Sequence, residues 1–216
     1  MKYLKKFENH TAYAATESGL ILPNVSLCVQ ENHVHYNPID PYNGHAYVDL
    51  GLPSGTKWAT MNVGASSVTD YGNYYQYGKG AAQYAATSGD SNYSGTENPL
   101  DSSVDTAAQV WGGEWHMPTQ AQMQELTANT VYEFVTVNGV SGGKFTAQNG
   151  NYLFIPASGY YASGVLKDLG VSGSVWNSTP NSSDSSVGKF ILFSNNGVGI
   201  YGGNRSKGAS IRPVAD

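Results

Sequence analysis

The stretch KFILFSNNGVGIY, residues 189–201, sets two runs of apolar and aromatic residues around Asn195-Asn196-Gly197. This pattern predicts a β-hairpin. A three-residue Asn195-Asn196-Gly197 loop places Gly197 at the left-handed bulge position that favours glycine. It sets Leu192 opposite Ile200 on one face and Ile191 opposite Tyr201 on the other. A two-residue Asn196-Gly197 turn changes those partners. In either register Phe190-Ile191-Leu192-Phe193 carries apolar side chains to both faces. Two readings stay open: a strand buried on both sides, or an apolar patch exposed to a partner.

The surrounding segment, residues 173–214, is rich in Ser, Asn and Gly and nearly free of acid, with Trp176 and Ser210-Ile211-Arg212-Pro213-Val214 as firm points. The same composition pervades the chain: Gly, Ser, Asn and Tyr make up 83 of its 216 residues. These four dominate antibody binding loops, where Tyr gives stiff contact area and the small polar residues give adaptable hydrogen bonding. A loop-rich β protein favours the same set. Hydrophobic residues, at 40%, suffice for a core of one domain, whereas charged residues are only 12%, about half the usual share. A net charge of −5 with two arginines, Arg205 and Arg212, leaves no basic stripe, so no nucleic-acid partner is expected. A single cysteine, Cys28, excludes an intrachain disulfide. No run of about 18 apolar residues predicts a membrane span. The opening MKYLKKFENHTAYAATESG is polar and reads as no secretion signal.

Two units are legible. Residues 1–40 form a small appendage, with a short helix over residues 9–17 and a hairpin in which NVSLCV and HVHY flank QEN. The prolines of NPIDP, residues 37–41, mark its end, and so small a unit must dock to be stable. Residues 41–216 read as one α+β domain. Tyr47-Val48-Asp49-Leu50 and Lys57-Trp58-Ala59 are strand-like, residues 70–77 suggest a helix with an aromatic face, and residues 79–104 a long surface loop. A short helical turn is expected over residues 105–110. The clearest helix starts at Thr119, where Thr119 and Gln122 form a capping box and Met123 and Leu126 an apolar face. After Thr130 only strands are expected: YEFVTV, GKFTAQ, YLFIPAS, GKFILFS, VGIYG and ASIRPV.

Residues suited to catalysis are sparse. His33 and His35 share one strand face, but two ligands make no metal site. ENP (97–99) and WNS (176–178) lack the several carboxylates calcium needs. Nothing in the sequence around Cys28 lowers its pKa, and no nucleophile–base–orienter set assembles. No metal, cofactor or enzymatic activity is expected.

Six blocks in order, YVDLGLPSGTKWATMNVGA (47–65), YGNYYQYG (71–78), WGGEWHMPTQAQMQEL (111–126), GNYLFIPASGYY (150–161), VWNSTP (175–180) and SIRPV (210–214), carry a resemblance. Together they resemble a domain of Bacteroidetes and gut phages with a C-type lectin fold. That domain is related to the formylglycine-generating-enzyme fold and to the major paralogous domain named for Fibrobacter succinogenes. The group includes variable proteins of diversity-generating retroelements, in which a reverse transcriptase rewrites adenine positions at the 3′ end of the gene while the framework stays fixed. His116 stands where the group commonly has Arg, and Met61 where it commonly has Cys. The paired cysteines of the formylglycine-generating oxidase are absent, which counts against that activity.

The resemblance implies an α+β protein with a C-type lectin fold and a small N-terminal appendage, displaying a diversified ligand-binding face. The rival reading is an undiversified structural or adhesion module of the same fold. The implied partner is a protein or glycan receptor on a bacterial surface, with residues 1–40 available to other virion proteins, and the implied location is the virion or the cytoplasm of the producing cell. Mapped onto this sequence, the substitutable positions are Ser163, Lys167, Asp168, Ser174, Val175, Asn177, Ser183 and Asp184, followed by Lys189, Ile191, Phe193, Tyr201, Asn204, Ser206 and Lys207. Phe193, Ile191 and Tyr201 are the expected centre of binding, and Trp58, Trp111, Trp115 and Trp176 the framework.

Overall fold

A computed structural model describes residues 29–30, 33–34, 43–78 and 95–216. In chain order its elements are β1 (Val29–Gln30), β2 (His33–Val34), β3 (Tyr47–Asp49), β4 (Lys57–Ala59), α1 (Thr106–Trp111) and α2 (Gln120–Asn129). There follow β5 (Thr130–Val137), β6 (Val140–Ala147), β7 (Tyr152–Pro156), β8 (Tyr160–Ala162), β9 (Val165–Lys167), β10 (Ser172–Pro180), β11 (Val187–Ser194), β12 (Gly197–Asn204) and β13 (Val214–Ala215). The architecture is strand-rich α+β, with open antiparallel sheets ordered β13-β4-β3, β5-β6-β7 and β10-β11-β12 and two-stranded pairs β1-β2 and β8-β9. Residues 9–17 and most of residues 79–104 lie outside the described residues, as do the side chains of His33 and His35.

Local chemistry explains the two helices. Asp105 caps α1 by accepting from the Ala108 amide at 3.0 Å. On α2, Thr119 Oγ1 accepts from the Gln122 amide at 3.2 Å while Gln122 Oε1 accepts from the Thr119 amide at 2.8 Å. Two amides left over at the helix start are thereby satisfied. Met123 and Leu126 are the residues α2 buries, and they join Phe145, Ile155, Val175, Ile191 and Phe193 in one core cluster. A second cluster gathers Tyr75, Tyr77, Trp111, Trp115, Met117 and Trp176. All four tryptophans are buried.

Residues 70–77 are not helical. The Tyr75 amide donates to Ala209 O at 2.9 Å and the Tyr77 amide to Arg205 O at 3.1 Å, so this segment runs extended along the C-terminal chain. An extended backbone lets Tyr74, Tyr75 and Tyr77 all be buried, which the single inward stripe of a surface helix would not allow. ASIRPV is likewise irregular apart from β13; its residues make single bridges, Ala209 to Tyr75 and Ser210 to Val175.

Arg212 ties these layers together. It is fully buried, and its guanidinium donates to Asn62 Oδ1 at 2.9 Å, Ala59 O at 3.0 Å and Phe154 O at 3.2 Å. Burial pushes it down to about 9, so it remains charged at neutral pH. Three neutral acceptors offset the cost of desolvating that charge, and they come from β4, the turn after it, and β7.

The hairpin of β11 and β12 closes on two residues, Asn195-Asn196, with Gly197 at φ 123° pairing Ser194. This register sets Ile191 opposite Ile200, Phe190 opposite Tyr201 and Leu192 opposite Gly199. It is one residue away from the register of the three-residue loop, and a one-residue slip moves every partner to the opposite face. Tyr201 therefore shares its face with Phe190 and Leu192, and Ile191 and Phe193 point into the core. The Phe193 ring packs where a Cβ on Gly173 or Gly143 would lie, and it meets Phe145 edge-on at 6.2 Å. Phe193→Ala is expected to cost about 3–5 kcal/mol, as core aromatic truncations do, and Leu192→Ala less than about 1.5 kcal/mol, since Leu192 is only half-buried. Denaturant titration of the two variants checks the register, and equal losses would contradict it.

Candidate ligand-binding surface

Strands β10 and β11 present Ser172, Ser174, Trp176, Phe190 and Leu192 on the side away from the Phe193 core, as their pairing requires. Trp176 is pinned there by its own Nε1, which donates to Tyr75 O at 2.9 Å, and by edge-on contacts with Tyr77 and Phe190, both at 5.4 Å. Gly188 leaves the room that these rings fill, since a Cβ there would collide with Tyr77.

The β8-β9 hairpin borders this face. Ser163 at φ 53° and Gly164 at φ 73° form its two-residue turn, with left-handed backbone at both central positions as such hairpins favour. Gly159 is required where the chain enters β8, because a Cβ would run into the Lys167 carbonyl. After β9, Asp168 adopts φ 58°, and its carbonyl accepts from the amides of Val171 and Ser172, each at 3.0 Å. Strand β10 thus starts at a fixed point.

Between hairpin and sheet lies a cleft of about 200 Å³. Its apolar lining is Trp176, Phe190, Leu192 and Ala209; its polar groups are Tyr160, Asp168, Ser172, Ser174 and Lys207. Lys207 Nζ sits 4.9 Å above the centre of the Tyr160 ring. A second, more polar groove of about 470 Å³ runs between α2 and β12. Gln120, Gln124 and Thr127 line it from the helix, and Lys189 and Tyr201 from the sheet. Lys189 Nζ donates to Gln120 Oε1 at 2.8 Å.

The expected site residues divide into groups. Asp168, Ser174 and Lys207 meet in the cleft, and Lys189 and Tyr201 in the groove. Ser163 and Lys167 are exposed on the β8-β9 hairpin, Ser183 and Asp184 on the turn before β11, and Asn204 at the end of β12. The Asp184 carboxylate accepts from the Ser186 hydroxyl at 2.6 Å and the Ser186 amide at 2.8 Å, which hold it below the usual carboxylate range.

Val175, Asn177, Ile191, Phe193 and Ser206 are buried, and their assignment to an outward binding face is corrected. Val175, Ile191 and Phe193 belong to the main core. Asn177 lies against Met123 Sδ at 3.7 Å and accepts from the Thr179 amide at 3.0 Å. Ser206 is enclosed, its amide bonded to Asn204 Oδ1 at 2.8 Å and its carbonyl to Gln76 Nε2 at 3.4 Å. Ser174 lines the cleft but is itself only 3% exposed. The sequence reading passed over Tyr160, Phe190 and Leu192; the run Phe190-Ile191-Leu192-Phe193 is apolar on both faces, and only the packing of Ile191 and Phe193 into the core turns Phe190 and Leu192 to the other side. Among the described residues, four of the six exposed large hydrophobics, Val165, Leu169, Val171 and Tyr201, lie between β9 and β12.

Two tyrosines brace the surface from within. Tyr74 Oη donates to Ser158 O at 2.6 Å, and Tyr132 Oη to Ser194 O at 2.7 Å. Burial pushes both phenols up from the ordinary 10 to about 12. The unfolded chain loses these protons first, so this contribution is fully present below pH 10 and is lost as pH rises through about 12. The melting temperature is expected to fall across that window. Tyr132→Phe should lower it at neutral pH by the loss of one hydrogen bond, about 1 kcal/mol, and flatten the alkaline decline; a thermal melt series against pH reads both.

Among the described residues no group of three or more His, Cys, Asp or Glu is gathered as metal ligands, and no helix is long and apolar enough to cross a membrane. The chain matches no protein-family model, no curated protein and no solved structure.

Proposed function

We propose that this chain is a binding protein of the C-type-lectin fold, displaying a diversified ligand-binding face, encoded by a phage or prophage and without catalytic activity. One observation carries the reading: along β11 and β12 core residues alternate with outward ones. Ile191 and Phe193 anchor the strand, while Phe190, Leu192 and Tyr201 stand on the other side. Exchange of Tyr201, which is exposed, leaves the packing beneath it untouched, which is what a substitutable surface needs, whereas Phe190 also packs against Trp176. The braced strands and turns supply a pre-organised frame, so little ordering entropy opposes binding. A protein or glycan receptor on a bacterial surface is the proposed target.

Two measurements test this. In the surrounding DNA, a reverse-transcriptase gene and an imperfect copy of the 3′ end of this gene are expected, with mismatches confined to template adenines at codons for outward residues such as Tyr201 and Asn204. An undiversified adhesion module has neither. Labelled protein is expected to bind cells of a Bacteroidales panel. Tyr201, 53% exposed, is the residue whose truncation should weaken binding by about tenfold or more at unchanged melting temperature. Cell binding indifferent to Tyr201→Ala, Leu192→Ala and Lys207→Ala combined would refute the assigned face.

A further inference from the structure

We propose that the cleft between the β8-β9 hairpin and the β10-β11 face is an anchor pocket for a single hydroxylated aromatic ring, a tyrosine side chain presented by a protein partner. The inference rests on the binding-protein reading above and names what one part of that face takes.

Size sets the first limit. At about 200 Å³ the cleft is smaller than the roughly 300–1,000 Å³ of pockets for drug-sized ligands. A closed cavity of about 150 Å³ suffices for benzene. One six-membered ring with a substituent is therefore the unit that fits. The apolar lining sets the second limit: it is Trp176, Phe190, Leu192 and Ala209, and Trp176 is wholly buried with its only side-chain donor already given to Tyr75. A pyranose ring seated in so small a cleft would press its hydroxyl-bearing rim against these groups and strand some hydroxyls without partners, which is costly. An aromatic ring gains from the same surface, because edge-on or offset packing against the half-buried Phe190 suits its quadrupole.

The polar groups give the third. Asp168, Ser172 and Ser174 offer acceptors for one hydroxyl in an otherwise apolar site. The one carboxylate and the one ammonium, Asp168 and Lys207, leave the cleft without net charge, so a neutral group is favoured over an ionised one. Lys207 already lies over the Tyr160 ring at 4.9 Å, and an ammonium so placed attracts a second electron-rich ring brought beside it. A phenol is neutral at pH 7, flat, and carries one hydroxyl.

The probe is p-cresol, titrated into isotope-labelled full-length protein and followed by amide chemical shifts, with methyl α-glucopyranoside and toluene as parallel arms. Saturable shifts confined to Tyr160, Asp168, residues 172–176 and 190–192 are expected with p-cresol. Toluene should bind more weakly and the glucoside should give no shifts there. Leu192→Trp fills the cleft and should abolish the p-cresol shifts, and Asp168→Asn should change the p-cresol affinity while leaving that of toluene unchanged. Absence of saturable p-cresol shifts in the wild-type chain, shifts centred elsewhere, or preferential glucoside binding would each overturn the proposal. A negative p-cresol result overturns the pocket and leaves cell binding sensitive to Tyr201→Ala as the test of the binding face, and cell binding indifferent to Tyr201→Ala leaves a positive p-cresol result standing, so the two failures are told apart.

Discussion

The outward face depends on the packing of Phe193 against the bare backbone of Gly173. The two residues are direct partners across β10 and β11, and the ring fills the space a Cβ on Gly173 would occupy. In this register the ring meets a glycine on both sides, Gly173 on its own sheet and Gly143 on the next. Once Phe193 is seated, side-chain alternation fixes the rest: Ile191 goes inward, and Phe190, Leu192 and, through β12, Tyr201 go outward. A core contact thus decides which residues a partner can meet.

The frame behind this face is held by polar groups as much as by apolar ones. Arg212 satisfies acceptors on β4, on the turn that follows and on β7, joining the end of the chain to parts of the domain far away in sequence. Removing it would leave those acceptors buried without a partner, which costs more than the net value of the bonds suggests. Tyr74, Tyr132 and the Trp176 indole act in the same way on a smaller scale, each donating to a backbone carbonyl of an irregular segment or strand end. Few residues here are charged, so such one-to-one bonds replace the ion pairs of a more ordinary surface.

The result is a face on which residues differ in what they can tolerate. Side chains at Tyr201, Leu192, Lys207 and Ser163 can change with little disturbance to the core, whereas those at Val175, Ile191 and Phe193 cannot. The cleft and the α2–β12 groove lie on this face and at its edge and have contrasting chemistry, one mostly apolar and one lined by carboxamides. A partner can engage them separately.

Much of the fold was legible in the sequence where local chemistry was strong. The Thr119-x-x-Gln122 box marked the start of α2, the short runs at Tyr47 and Lys57 marked β3 and β4, and alternation with turn signals marked β5, β6, β7, β11 and β12. The four tryptophans, expected as framework from the family resemblance, are all buried. Strand β10 was invisible because Ser-Gly-Ser-Val-Trp-Asn has little strand propensity; its partner β11 makes it a strand. Residues 70–77 kept an aromatic pattern that a helix could have used, and only the backbone acceptors at Ala209 and Arg205 drew them out into an extended line. The facing of the hairpin was beyond sequence reach for a simple reason. Phe190-Ile191-Leu192-Phe193 is apolar on both sides, so hydropathy assigns neither face, and a turn of two residues differs from one of three by nothing that Asn195-Asn196-Gly197 spells out. Tertiary packing decided it, because only the folded chain brings Gly173 and Gly143 to where the Phe193 ring must go.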